Sequence, residues 1–164
     1  MTEHITHGFG PVFDGESRVL ILGTMPSPKS REQQFYYAHP QNRFWPVLAA
    51  LFGEETPVGT EERRDFALRH KIALWDVLEE CDIVGAADAS IRNPVPVNLS
   101  VVLDKAPIAA VFTTGKAAHR FYEKFLANTT DLPTFCLPSP SPANARFSPA
   151  ALQNAYREIL EYLD

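Results

Sequence analysis

Four short apolar runs along the chain predict buried strands. "RVLILG" (18–23) ends at a glycine, and "KIALWDV" (71–77), "IAAVFTT" (108–114) and "PTFCLPS" (133–139) have the same unbroken apolar character. Continuous runs of this length are typical of strands that are covered on both faces, as in parallel sheets. The pattern therefore predicts four strands of one parallel sheet.

Helical patterns lie between these strands and after them. Residues 60–70 open with Thr60, a candidate N-cap, followed by two acids, and residues 116–126 carry an apolar stripe at helical spacing. A last helix is expected from Ser148-Pro149, a good pair for an N-cap and a first helical position. Strands that alternate with helices indicate a three-layer α/β/α sandwich around a central four-stranded parallel sheet.

The chain length and the sheet type locate a candidate site. With 164 residues and no repeat or linker, residues 1–164 are expected to form a single domain. Ligands of open parallel sheets bind outside the carboxyl ends of the strands. Two unusual loops follow predicted strands at that edge, one after Gly23 and the other over residues 137–149. We expect the site between them.

The first loop combines polar residues with aromatic rings. "GTMPSPKSREQQ" offers hydroxyl and basic groups to an anion, at Ser27, Lys29, Ser30 and Arg31. "FYYAHPQNRFW" adds rings of the kind that stack on a nucleobase. Asn42 taken alone is best interpreted as the N-cap of the apolar helix that follows it. The combination fits a pocket for an extruded base.

The second loop carries prolines at every second position from Pro138 to Pro142, which stiffen it in an extended form. A stiff loop with exposed serines is suited to press against a phosphate backbone or to enter a groove. An ordinary proline-rich connector is the alternative, and this loop alone favours it.

Net charge, cysteine count and hydropathy limit the cofactors and partners that we expect for this chain. The net charge of −5 argues against a nonspecific nucleic-acid binder, although a local basic face could still bind phosphate. Two cysteines, Cys81 and Cys136, are too few for an iron–sulfur cluster or a structural zinc, so we expect no metal and no cofactor. No apolar run approaches the roughly 18 residues of a membrane span, and the N-terminus lacks a signal-peptide pattern. We expect a cytoplasmic monomer without a membrane partner.

At these residues the sequence resembles the uracil-DNA glycosylase superfamily. "GTMPS" followed by "FYYAHPQNRFW" is similar to the first motif of the mismatch-specific uracil/thymine branch, "LPSPSPANA" resembles the second motif, and "ALWDV" fits the second strand. Two positions depart from the usual pattern, because Met25 and Leu137 stand where polar residues are common. The whole pattern is closest to the hypoxanthine-DNA (deoxyinosine) glycosylase branch, which also lacks the polar residue of the first motif.

The resemblance implies a function and a mechanism. It implies a monofunctional DNA glycosylase that flips a deaminated base out of DNA and hydrolyses its N-glycosidic bond by water attack, with hypoxanthine as the foremost substrate. Asn42 is the implied catalytic residue and Tyr37 the ring that stacks on the base. The stretch around them contains no lysine, so no Schiff-base lyase activity is expected.

The resemblance also implies the remaining contacts with DNA. The backbone of residues 24–27 is expected to read the O6 and N1–H groups of hypoxanthine. The other implied base-binding residues are Thr24, Met25, Ser27 and Phe35. The implied DNA-binding residues are Lys29, Arg43, Ser139, Ser141, Asn144 and Arg146. No metal site is implied.

Three alternatives stay open on the sequence alone. The same chemistry could act on uracil, as in the mismatch-specific enzymes. The chain could also be a catalytically inactive nucleic-acid-binding module, since neither Met25 nor Leu137 can orient water. An unrelated α/β protein with a small ligand would show no affinity for DNA even at low salt.

Overall fold

The computed structural model describes residues 1–163 of the chain. Within these residues it contains seven strands: β1 (Thr2–Thr6), β2 (Val19–Gly23), β3 (Ile72–Asp76), β4 (Leu78–Val84), β5 (Ala87–Pro96), β6 (Ala110–Thr114) and β7 (Thr134–Leu137). The helices are α1 (Pro28–Gln33), α2 (Phe44–Phe52), α3 (Gly59–Arg69), α4 (Ser100–Leu103), α5 (Lys116–Phe125) and α6 (Pro149–Tyr156), with 3-10 turns at Ala127–Thr129 and Arg157–Tyr162.

The central sheet has the strand order β3-β2-β6-β7, and all three pairings are parallel. Every residue of β2, β3 and β6 is buried, which explains their unbroken apolar character. The outer edge of β3 is covered by Val12, which exchanges two backbone hydrogen bonds with Leu74 at 2.9 and 2.8 Å. Helices flank the sheet, so the prediction of a three-layer fold with four parallel strands is confirmed.

The helix starts agree with the sequence prediction at one position and differ at another. Ser148 caps α6 as predicted, because its Oγ accepts a hydrogen bond from the Ala151 amide at 3.1 Å. Thr60 does not cap α3, since that helix already begins at Gly59. Glu62 instead reaches back to accept from the Val58 amide at 2.7 Å, so the acid of the first turn takes the capping role.

A second sheet was not predicted. It is antiparallel with the order β1-β4-β5, and it follows directly from the end of β3 through Val77. Most residues of β1 and β5 are exposed or half-buried, so these strands lack the continuous apolar run that revealed the central sheet. The small sheet matters for the site because it brings the residue after β1, His7, to the carboxyl end of β3.

No helix in the described part of the chain combines the length and the apolar character needed to cross a bilayer.

Candidate active site

A small cavity opens at the carboxyl edge of the central sheet, where the sheet type predicts a ligand site. Gly23, Asp76 and Thr114, the last residues of β2, β3 and β6, all line it. The cavity has a volume of about 160 Å³. A groove of about 660 Å³ adjoins it and shares Ser139 and Ser141 of the proline-rich loop as a common wall. The site thus consists of a compact pocket beside a longer groove, between the two loops named from the sequence.

The segment from Thr24 to Ser27 forms one wall of the pocket and presents donors more than acceptors. The carbonyl of Thr24 accepts from the Leu78 amide at 3.1 Å, and that of Pro26 accepts from the Arg31 guanidinium at 2.9 Å. Within residues 1–163 the amide N–H groups of Thr24, Met25 and Ser27 have no hydrogen-bond partner. The Ser27 hydroxyl caps α1 by accepting from the Ser30 amide at 3.2 Å.

Tyr37 supplies an aromatic wall. Its backbone has φ of 52°, a conformation that bulky residues seldom adopt, and its ring lies 3.8 Å from that of Phe44 with an interplanar angle of 15°. The Tyr37 hydroxyl is hydrogen-bonded to Thr114 Oγ1 at 3.0 Å. Burial, together with the negative charge of Asp76, raises the pKa of Tyr37, so the phenol stays protonated. One face of the ring is covered, which leaves the opposite face and the edge for a base.

Asp76 is paired with a histidine from the far end of the chain. His7 Nε2 lies 2.8 Å from Asp76 Oδ2, and both side chains are buried. Burial alone lowers the pKa of His7, but the hydrogen bond and the negative charge of Asp76 outweigh burial and raise this pKa above its ordinary value of 6.5. Sequence reasoning missed both residues. The position of Asp76, at the carboxyl end of an apolar strand, was the available signal, whereas His7 gave none.

The proline-rich loop is held in shape by Arg43. The Arg43 amide donates to the Pro140 carbonyl at 3.0 Å, and its guanidinium donates to the carbonyls of Ser141 at 2.9 Å, Asn144 at 2.8 Å and Phe147. The Asn144 side chain donates in turn to the Ser139 carbonyl at 3.0 Å. Arg43 and Asn144, both predicted to bind phosphate, therefore bind the backbone of the proline-rich loop. Through Arg43, the loop that follows β2 holds the proline-rich loop in place.

Two cations face the groove. Lys116, at the start of α5, and Arg146, in the proline-rich loop, are both exposed and line it. Lys29 lies elsewhere, outside both the pocket and the groove, with its Nζ 3.6 Å from a carboxylate oxygen of Glu32. Asp88 also lines the groove, so its lining carries two basic groups and one acidic group in a chain of net negative charge.

Asn42 and Phe35 are not among the residues that line the pocket. The N-cap of α2 is Arg43 and not Asn42 as predicted, but the half-buried Asn42, one residue earlier, still serves the start of this helix, because its Oδ1 accepts from the Phe44 amide at 2.8 Å. Phe35 is buried in the core, where it stacks on Trp45 with ring centroids 6.1 Å apart. Neither residue lines the cavity, whereas Thr24, Met25, Ser27 and Tyr37 do.

Comparison with known proteins identifies the family. The sequence profile of the uracil DNA glycosylase superfamily matches residues 10–164. The chain belongs to this superfamily. The glycosylase is 35% identical over 141 residues to a protein of Methanosarcina barkeri named hypoxanthine DNA glycosylase, covering 85% of this chain and 88% of that protein. A protein of the same name from Methanosarcina acetivorans is 34% identical over 146 residues, covering 88% and 91%.

A solved structure agrees with this assignment. The glycosylase matches, with a TM-score of 0.79 and 29% identity, the solution NMR structure of an M. acetivorans protein provisionally assigned as a uracil DNA glycosylase. The match covers 98% of this chain and 99% of that one. The protein is therefore a DNA glycosylase, a hydrolase of N-glycosyl bonds whose substrate is DNA.

No group of three or more His, Cys, Asp or Glu side chains within residues 1–163 is arranged to hold a metal ion.

Proposed function

We propose that the enzyme excises hypoxanthine from deoxyinosine in DNA. The observation that carries the proposal is the pocket beside Tyr37, where unpaired amide donors of residues 24–27 meet an aromatic wall at the edge of a groove of about 660 Å³. The names of the two relatives that are about one-third identical support hypoxanthine as the base. Met25 forms part of the pocket wall, so the position where related enzymes carry a polar residue is apolar here.

The flipped base would stack against the free face of Tyr37, and its O6 would accept hydrogen bonds from the amides of residues 24–27. Extrusion of a base from the duplex costs a few kcal/mol, and less for a poorly paired base such as hypoxanthine. The backbone of a DNA strand would follow the groove past Lys116 and Arg146, where cations neutralise phosphates. Arg43 would act indirectly, by holding the proline-rich loop in the shape that meets the DNA.

Hydrolysis would pass through a sugar with oxocarbenium character, as in other glycoside hydrolysis. Asn42 would orient the attacking water, because its amide oxygen has a second lone pair beyond the one that caps α2. Its neighbour Arg43 bonds to Pro140 of the pocket wall, which supports a position of Asn42 between the two loops. No lysine of the described residues lines the cavity, so water, and not an amine, is the proposed nucleophile.

The function can be tested on labelled duplexes that carry a single deoxyinosine or deoxyuridine, with strand breakage measured after alkali. We expect breakage at deoxyinosine, and we expect the intact strand to remain without alkali because a monofunctional enzyme leaves the backbone whole.

Uracil is the second candidate, since its ring carbonyl and N3–H resemble the edge of hypoxanthine. Breakage at deoxyuridine alone would contradict the hypoxanthine assignment and keep the family chemistry.

Asn42 needs a control that separates catalysis from helix capping. Asn42→Ala removes both roles, whereas Asn42→Ser keeps an oxygen that can cap α2 and removes the amide. If Asn42 positions water, both variants lose roughly 10²- to 10⁴-fold in excision rate while DNA binding is kept. If its only role is the cap, Asn42→Ser restores the activity that Asn42→Ala loses.

A further inference from the structure

The hairpin formed by β4 and β5 brings its tip to the candidate site. Ala86, in the turn, and Asp88, near the start of β5, line the compact pocket, and both also line the adjoining groove. In the described part of the chain the two cavities have four lining residues in common, and the other two are Ser139 and Ser141. The hairpin tip and the proline-rich loop therefore both border the junction of the pocket and the groove.

A nucleotide bound in this site would span that junction. In the proposed function the flipped base lies in the pocket and the strand backbone follows the groove, so the sugar and its C1′ atom lie where the two cavities meet. Among the described residues that border both cavities, Asp88 is the one that carries an ionisable side chain. The Asp88 carboxylate is thus placed near the glycosidic bond that breaks.

A carboxylate at this place is unfavourable for DNA binding. Lys116 and Arg146 line the same groove and attract phosphates, whereas the negative charge of Asp88 repels them. A role in the reaction would offset this loss of affinity. The negative charge that weakens binding can take a proton, and it can stabilise a sugar that gains positive charge.

The surroundings of Asp88 make its carboxylate a better proton acceptor. Although the side chain is exposed at the rim of the pocket, the protein around it removes part of its hydration. This partial desolvation, together with the negative charge of Asp76, raises the pKa of Asp88 above its ordinary value of 3.8, while the charge of Arg120 opposes the increase. A general base becomes more effective as its pKa approaches the working pH.

The other ionisable groups around Asp88 come from the elements that surround the two cavities. They are Asp76, Tyr36, Tyr37, Cys81, Lys116, Arg120, Cys136 and Arg146.

The hydrolysis described above needs an acceptor for a proton of the attacking water. The amide oxygen of Asn42 can orient a water molecule, but a neutral amide does not take up a proton at neutral pH. We propose that Asp88 is the general base of the reaction and accepts this proton at the junction of the pocket and the groove. This inference rests on the proposed function and adds a catalytic residue from outside the two loops.

The reaction step is balanced with this residue. The electron pair of the C1′–N9 bond leaves with hypoxanthine, the water oxygen forms a bond to C1′, and one water proton moves to the Asp88 carboxylate. The hypoxanthine anion then takes a proton from solvent, and Asp88 releases its proton to solvent. The ionised carboxylate also lies near the sugar while positive charge develops on it.

The first test measures single-turnover excision of deoxyinosine from a labelled duplex by Asp88→Asn, which keeps the shape of the side chain and removes the proton acceptor. The rate should fall roughly 10²- to 10⁴-fold. DNA binding, measured by fluorescence anisotropy, should stay equal or become tighter because a repelling charge is lost. Asp82→Asn is the matched control, since Asp82 lies in the same hairpin, bonds to Asn93 at 2.8 Å and lines neither cavity. It should keep the wild-type rate.

The pH dependence of the rate tests the chemical role. The protonated carboxyl cannot accept a proton, so the wild-type rate should fall by about tenfold per pH unit below the pKa of Asp88 and stay level above it. The slow rate of Asp88→Asn should lack this decline.

Chemical rescue is the second test of this role. In Asp88→Ala, added sodium formate should restore part of the rate, because a small carboxylate can enter the vacated space and take the proton. Sodium chloride at the same ionic strength should not restore it.

The outcomes separate the two proposals. If the wild-type enzyme does not release hypoxanthine, the proposed function fails. If it does, but Asp88→Asn stays within about 10-fold of the wild-type rate, the role of Asp88 is overturned and the function stands. The role is also overturned if Asp88→Asn keeps the decline at low pH and formate restores nothing. An equal loss in Asp82→Asn would trace the effect to the shape of the hairpin and would overturn it as well.

Discussion

The ring of Tyr37 rests on the ring of Phe44, with their centroids 3.8 Å apart and their planes within 15° of parallel. Phe44 is the first residue of α2 and is fully buried, while Tyr37 lines the cavity. The hydrophobic core therefore supports the aromatic wall of the site from behind. Phe44 at the start of α2 thus fixes the ring of Tyr37 in the candidate site, and both residues lie in the same short segment of the chain.

Tyr37→Ala should lower kcat/KM for deoxyinosine by roughly 5- to 150-fold, because about 1–3 kcal/mol of base stacking is lost. Tyr37→Phe is the matched control, since it keeps the ring and removes only the hydrogen bond to Thr114. We expect Tyr37→Phe to retain activity within about 10-fold. Steady-state excision kinetics give both values. Equal losses in the two variants would mean that the hydroxyl, and not the ring, carries the effect.

Gly23→Ala should abolish most of the activity without unfolding the protein. Its added Cβ would lie 2.6 Å from Asp76 Oδ1, so the carboxylate has to move out of the pocket wall. Gly10→Ala is the control, because a Cβ there meets nothing within 4 Å. Excision rates and melting temperatures of the two variants test the prediction. An active Gly23→Ala enzyme would show that the site tolerates a displaced Asp76.

Arg43→Lys should loosen the proline-rich loop despite keeping the charge. A lysine cannot reproduce the planar fork that binds the carbonyls of Ser141, Asn144 and Phe147. Each lost bond to the charged group contributes about 1.5–3 kcal/mol. We expect faster proteolysis within residues 138–147 and weaker DNA binding. Arg157→Lys, at an exposed position, should change neither quantity, and an intact loop in Arg43→Lys would contradict the anchoring role.

Lys116→Ala and Arg146→Ala should each weaken DNA binding and reduce its dependence on salt. A protein that loses one phosphate contact to duplex DNA loses about 0.9 from the slope of log K against log salt concentration. Fluorescence anisotropy over a range of salt concentrations measures this slope. Lys105→Ala, at an exposed position outside the groove, is the control. An unchanged slope in both groove variants would place the DNA elsewhere on the surface.

The His7–Asp76 pair should make stability depend on pH. The pKa of His7 is raised in the folded state, so protonated His7 stabilises the fold below its ordinary value of 6.5, and this contribution is lost as the pH rises through the folded-state pKa. The free energy of unfolding, measured with urea, should therefore fall from about pH 6 towards pH 9 in the wild-type enzyme. In His7→Gln this part of the decline should be missing. A wild-type curve parallel to that of His7→Gln would contradict the prediction.

The sequence indicated the central sheet well and the small sheet not at all. The four parallel strands are buried on both faces, so each one appears as an apolar run whatever its neighbours are. The strands β1 and β5 are mostly exposed, so neither shows an apolar run. Although β5 pairs with its sequence neighbour β4, the pairing of β1 with β4 joins residues more than 70 positions apart, such as Ile5 with Cys81. Local patterns contain no information about such a pairing.

The amino-acid sequence by itself determined the layer order, the edge of the sheet where the site lies, and the two loops that surround it. These features follow from burial and backbone stiffness, which depend on residues close together in the chain. Only the tertiary structure decided that Arg43 binds the carbonyls of the second loop and that His7 faces Asp76. Such partners meet because strands and loops that are distant in sequence converge at one edge of the sheet. A local sequence pattern does not indicate which distant residues will come into contact.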